Sequence, residues 1–112
     1  MLAYIMVRVN ISDPIAYGQN IRRTPRVFDR FGGRFIVRGG ELNMLECENE
    51  TVRLAAIEFP SMDVAKRFYG SEEHQAVKCL RERAGQVRLY AIEAAANEDW
   101  SSALKASKSL SL

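Results

Sequence analysis

The chain has little of what usually announces a chemical function. Only two of its 112 residues are cysteine, Cys47 and Cys79, distant in sequence and in no C-x-x-C arrangement, and His74 is the one histidine. A structural zinc site normally takes four ligands, so no metal is expected. The two cysteines are expected to be reduced thiols of a cytoplasmic protein. The net charge is only +2, without the surplus by which nucleic-acid modules attract phosphate. No apolar run approaches the roughly 20 residues of a membrane-spanning helix. The opening Met1 to Arg8 lacks a basic leader and reads as a first strand, not a signal peptide. No Ser-His-Asp grouping, dinucleotide fingerprint or phosphate loop occurs, and no cofactor is expected.

The elements that are present follow a clear order. Ala3 to Val9 alternates as a strand, with Ala3, Ile5, Val7 and Val9 on one face and Tyr4, Met6 and Arg8 on the other. Asp13-Pro14 suits a helix start. Tyr17, Ile21, Thr24, Phe28 and Phe31 then share one helical face, which Pro25 kinks or splits near Thr24. Gly32-Gly33 ends that helix. Arg34 to Arg38 forms a second strand, and Gly39-Gly40 turns or bulges the chain into an extended Glu41 to Cys47. Val52 to Phe59 is a third strand. Ser61 caps a helix to about Tyr69, Ser71 restarts one to Ala84, Gly85 stops it, and Val87 to Glu93 closes the series.

Two strand-helix-strand halves with right-handed crossovers give an α+β domain, βαββαβ, over residues 1–96: a four-stranded antiparallel sheet with its helices on one face. The uncovered face reads as apolar too. Leu54 and Ala56 oppose Ala55, Ile57 and Phe59 on the third strand, and Tyr90 and Ile92 oppose Val87, Leu89 and Ala91 on the last. A sheet facing water would alternate more cleanly, so a homodimer packed sheet to sheet is expected. Residues 97–112, rich in serine and lysine, read as a flexible polar tail, with Trp100 and Leu104 four apart as the only hint of a helical stripe.

Regular alternation puts Arg34, Ile36 and Arg38 on one face, with Glu58 near the end of the neighbouring strand. A carboxylate in so apolar a strand needs a partner, and Arg38 is the expected one. This pair is open to two readings. Arg38 binds an anionic group or orients Glu58 in a sheet-helix pocket, with Glu58 or His74 as the proton-transfer candidate. Alternatively the pair only stabilises a non-enzymatic, structural or regulatory dimer. Tyr17, Tyr69, Ser71 and Arg81 are expected at the rim of such a cleft. Polar neighbours Ser71, Glu72, Glu73 and Gln75 place His74 at the start of a helix, where a solvated position is the commoner one. Arg22, Arg23, Arg26 and Arg30 make the first helix basic, but no interleaved aromatic residues support nucleic-acid binding, the weakest of the readings.

Several ordered motifs resemble the family called domain of unknown function 1330. They are Ala3-Tyr4-Ile5 with Asp13-Pro14 and Tyr17; Phe31-Gly32-Gly33-Arg34-Phe35 followed by Val37-Arg38-Gly39-Gly40; Arg53-Leu54 with Ile57-Glu58-Phe59-Pro60; Phe68-Tyr69, Ser71 and Glu73-His74-Gln75; and Arg81 with Arg83-Ala84. The resemblance spans roughly residues 2 to 94. It implies a ferredoxin-like scaffold of the dimeric α/β-barrel superfamily and names no reaction, since relatives on this scaffold include cofactor-independent monooxygenases, haem-binding enzymes and stress-responsive proteins. The chain departs from the family pattern in having His74 in place of a tyrosine, Glu72 in place of a proline, a shorter Cys47 to Thr51 loop without tryptophan, and a tail beyond Ala94 that has no counterpart.

Overall fold

The computed structural model describes residues 1–12, 15, 22, 24–46, 48, 52–82 and 85–109, those at 11, 80–82, 97 and 109 by backbone alone. The elements are β1 (Ala3–Ile11), α1 (Thr24–Arg30), β2 (Arg34–Arg38), β3 (Arg53–Phe59), α2 (Met62–Tyr69), α3 (Glu72–Glu82), β4 (Gly85–Glu93) and α4 (Asn97–Ser109). The strands form one sheet in the order β2-β3-β1-β4, and every neighbouring pair is antiparallel. This is the ferredoxin-like arrangement expected from the order of elements.

Local chemistry sets the ends of the helices. Pro25 lies in the first turn of α1, where its missing N–H costs nothing; the segment expected to precede it, with Tyr17, lies outside the described residues. At the other end Gly32, at φ +72°, donates to the Asp29 carbonyl while Gly33 donates to that of Phe28. These two bonds form a Schellman closure. Ser61 caps α2 by accepting the Val64 N–H at 3.2 Å. Ser71 caps α3 in the same way, its Oγ accepting the His74 N–H at 3.1 Å while donating to the Phe68 carbonyl at 2.7 Å.

One face of the sheet and the helices above it enclose the core. Ala3, Ile5, Ile57 and Phe59 rise from β1 and β3 to meet Phe28, Ala65 and Phe68. All five phenylalanines join this layer: Phe28 packs against Phe35, Phe59 and Phe68 with ring centroids 5.1, 6.2 and 4.9 Å away, and Phe31 packs edge-on to Phe68 at 5.9 Å. Gly33 is needed for this closeness. A Cβ there would lie 2.7 Å from the ring of Phe59, which is fully buried. Gly33→Ala is therefore expected to destabilise the fold by about 1–3 kcal/mol through overpacking, measured as a lower denaturation midpoint with an unchanged slope.

The opposite face is bare. Val37, Met6 and Tyr90 are 49%, 42% and 55% exposed across its middle row, with Ala56 between the first two; Ile92 adds to the apolar surface on one side, and on the other Leu54 stands in a row with Arg8 and Arg88.

Between Arg38 and β3, residues 41–46 pair with no strand among the described residues, so the extended piece expected there adds nothing to the sheet. Gly85 does not merely stop α3; it begins β4. Within the polar tail, Trp100 and Leu104 lie on a helix, α4, thirteen residues long. Its start is held by Asp99, whose carboxylate accepts the Ala96 N–H at 3.1 Å, while Asp99 and Trp100 N–H groups donate back to the Ala96 carbonyl. Glu98 and Asp99 in the first turn and Lys108 in the last complement the helix dipole.

Candidate functional site

A bulge in β2 decides where its two arginines go. Arg34 pairs with Glu58 and Phe35 with Ile57, but Val37 then pairs with Ala56 and Arg38 with Ala55, which leaves Ile36 as an extra residue. An inserted residue resets the alternation of a strand. Arg34 therefore stands on the bare face and Arg38 on the helix face. The expectation that they share a face is overturned, and with it the Arg38–Glu58 pair. The Glu58 carboxylate accepts a hydrogen bond from Arg34 Nε at 3.2 Å instead. The Glu58 side chain is 18% exposed and that of Arg34 73%, so the pair is a partly solvated contact of modest worth. Glu58 is separated from the helix side by the sheet itself.

Arg38 is held on the helix side by an aromatic neighbour. Its guanidinium carbon lies 4.7 Å from the centroid of the Phe35 ring, a cation–π contact. It forms one side of the mouth of a cavity of about 80 Å³ between sheet and helices. Close by, the Arg53 guanidinium lies over the backbone of the adjacent Gly39, where a Cβ would come 3.1 Å from Nε. Gly39 takes φ +60° and donates to the Leu54 carbonyl at 2.9 Å, a left-handed residue that ends β2 while still bonded to β3. Thr24 completes the polar rim, and Ile5, Val7, Ile57, Phe28, Phe68 and Leu89 are among the apolar walls.

His74 lines this cavity from α3. It is 4% exposed, not solvated, and the one polar side chain classed as buried among the described residues. Its ring packs against Phe68 at 4.6 Å and Tyr69 at 5.0 Å between centroids. The solvated position expected from its sequence neighbours is corrected by this packing: Ser71, Glu72 and Gln75 turn outward or cap the helix, while the fourth position of the turn faces the phenylalanine layer.

The remaining expected site residues fall elsewhere. Ser71 does not line the cavity; it caps the turn that carries His74. Tyr69, 40% exposed, lies behind the imidazole and lines a separate open groove of about 460 Å³ with Lys66, Lys78, Val87, Leu89 and Tyr90. The Lys78 ammonium sits 5.7 Å from the Tyr69 ring centroid. Tyr17 and the side chain of Arg81 lie outside the described residues. Arg53 and Thr24 are the rim residues that sequence reasoning missed, since a polar residue opening a strand or a helix carries no mark of a shared cavity. Of the basic first-helix residues, Arg30 is engaged with Glu73 at 2.8 Å. Among the described residues no cluster of three His, Cys, Asp or Glu side chains is placed to hold a metal, and no helix is long and apolar enough to cross a membrane.

The ionisable groups lining the cavity are thus two guanidiniums and an imidazole, and no carboxylate is among its described lining residues. With roughly 10–15 Å³ needed for each water-sized site, its volume takes a molecule of about five to eight non-hydrogen atoms.

Comparison with known proteins places this geometry. Residues 2–95 match the family described as domain of unknown function (DUF1330). No curated protein matches the chain. Among solved structures, it is similar to a protein of unknown function from Rhodopseudomonas palustris, with 19% identity, a TM-score of 0.65, and 85% of this chain and 83% of that one covered. It is also similar to a dimeric ferredoxin-like protein of unknown function from Jannaschia sp. CCS1, at 12% identity and a TM-score of 0.65, over 84% of this chain and all of the other. A third is SnoaB, a cofactor-independent oxygenase from Streptomyces nogalater, at 13% identity and a TM-score of 0.64, covering 86% of this chain and 95% of that one. At these identities the likeness is one of fold.

Proposed function

The chain belongs to the family described as domain of unknown function (DUF1330), and on that scaffold we propose a homodimer that binds a small organic anion in the cavity between sheet and helices. The observation that carries this reading is the basic lining: Arg38 and Arg53 line a largely apolar cavity together with His74, and its described lining residues include no carboxylate. Convergent donors in an apolar recess are the usual build of a small-molecule site. Arginine suits a carboxylate because its planar fork donates two parallel hydrogen bonds. His74 is the proton-transfer candidate for any chemistry there, and Glu58, across the sheet, is not. The oxygenase among the neighbours supports the idea that this fold carries reactions without a cofactor.

The dimer is supported by the bare apolar row through Val37, Met6 and Tyr90 and by the dimeric neighbour from Jannaschia. A structural dimer braced by Arg38 and Glu58 loses its basis, because those residues lie on opposite faces. Nucleic-acid binding through the first helix has no second feature in its favour. A reducing, cytoplasmic setting belongs to the same reading and is supported by the free, exposed Cys79.

Thermal-shift titration with short mono- and dicarboxylic acids tests the ligand. At least one acid is expected to raise the melting temperature of the wild type, and Arg38→Gln to weaken its binding by about 10- to 100-fold, the worth of a charged hydrogen bond. If no acid moves the wild type, or if Arg38→Gln responds equally, the cavity is not an anion site.

A further inference from the structure

We infer that α4 is a docking arm, and that its Trp100–Leu104 stripe packs into the groove between α2, α3 and β4 of a second copy of the chain. This rests on the homodimer proposed above and adds to it where the arm goes. The helix lies outside the segment that matches the family, which ends at residue 95. All of its described side chains are exposed, with Trp100 at 65% and Leu104 at 43%. The radius of gyration, 16.9 Å, exceeds the ~13 Å of a compact chain this size. An isolated helix of thirteen residues is marginal in water, and a solvated tryptophan on it stabilises nothing. The arm therefore needs a surface that its own protomer does not supply.

The groove complements it in polarity and charge. Its floor is apolar, from Val87, Leu89 and Ala91, and its sides carry Lys66 and Lys78. The arm presents Glu98 and Asp99 in the turn that holds Trp100, and the two residues at i and i+4 lie on one face. Its position is continuous with the proposed dimer face: Ala94 N–H donates to the Leu2 carbonyl at 2.8 Å, so the arm departs from the end of β4, the edge strand whose Tyr90 and Ile92 stand on the bare side. A second copy packed there brings its own β4 edge, and the groove behind it, within reach.

Trp100 is the only tryptophan, so its fluorescence reports the arm alone. Sedimentation equilibrium gives the mass over the same dilution series and keeps the two claims apart. In the dimer the emission is expected to be blue-shifted and shielded from acrylamide, and to become solvent-like as the dimer dissociates. Trp100→Ala and a chain ending at Ala96 are expected to weaken dimerisation by about tenfold or more, as loss of a tryptophan anchor does. Lys78→Glu is expected to weaken it as well, and Glu98→Lys added to Lys78→Glu to restore it. A dimer whose Trp100 stays solvent-like overturns the arm and leaves the dimer standing. Shielding that persists in the monomer overturns it too, because the arm then packs on its own chain. A monomer at all concentrations removes both.

Discussion

Phe68→Ala is expected to cost about 3–5 kcal/mol of folding stability, the usual loss for removing a core phenylalanine. Phe68 is 1% exposed and is the hub of the aromatic layer, in contact with Phe28, Phe31, Phe59 and His74. Truncation leaves space against each of these rings, and a core packed from both sheet and helices closes only partly over such a space. Since a domain of this size has about 5–15 kcal/mol in total, the variant is expected to melt more than about 10 °C lower. Thermal and urea denaturation at fixed protein concentration check this. Phe31→Ala, at the half-buried edge of the same layer, is the internal comparison and is expected to lose clearly less. A loss below about 1 kcal/mol for Phe68→Ala would mean that the layer is not the core.

The second large effect concerns association. Met6→Lys is expected to convert the proposed dimer into a monomer at micromolar concentration, with a dimer dissociation constant raised by about 100-fold or more. Met6 lies on a central strand, in the row shared by Val37, Ala56 and Tyr90, and is 42% exposed in the protomer. A lysine there reaches water in the separated chain and is buried without a partner when two sheets meet. Sedimentation equilibrium reads the mass, and circular dichroism shows whether the protomer stays folded. A variant that remains dimeric would move the interface away from the bare face.

Much of this architecture was legible in the sequence because the signals were local. Ser61, Ser71 and Gly32-Gly33 end or start helices by bonds within a few residues, and the apolar character of both sheet faces needs only alternation. The site was less legible because its placement depends on contacts distant in sequence. Alternation counts residues and assumes an even pleat, so the bulge at Ile36 reversed the assignment of Arg38 and replaced it with Arg34 at Glu58. The one warning was the adjacent pair Ile36-Val37 in a strand that otherwise alternates. His74 was misjudged because its neighbours in sequence are polar while its neighbours in space, Phe68 and Tyr69, are rings. For α4, a composition of serine and lysine concealed a helix whose start is held by a single carboxylate, Asp99.

The bulge also bears on how this strand tolerates changes in length. Removing one residue from a strand ordinarily inverts everything beyond the gap, since each later side chain crosses to the other face. At Ile36 the opposite holds. With that residue gone, Arg34, Phe35, Val37 and Arg38 fall into an even pleat against Glu58, Ile57, Ala56 and Ala55, each keeping the side it has now. Removing Val37 has the same result, with Ile36 taking its place opposite Ala56, whereas removing Phe35 would put an aliphatic group opposite Ile57 on the cavity side. Ile36 and Val37 thus share one spare position, and a homologue shorter by one residue there would preserve the mouth of the cavity intact.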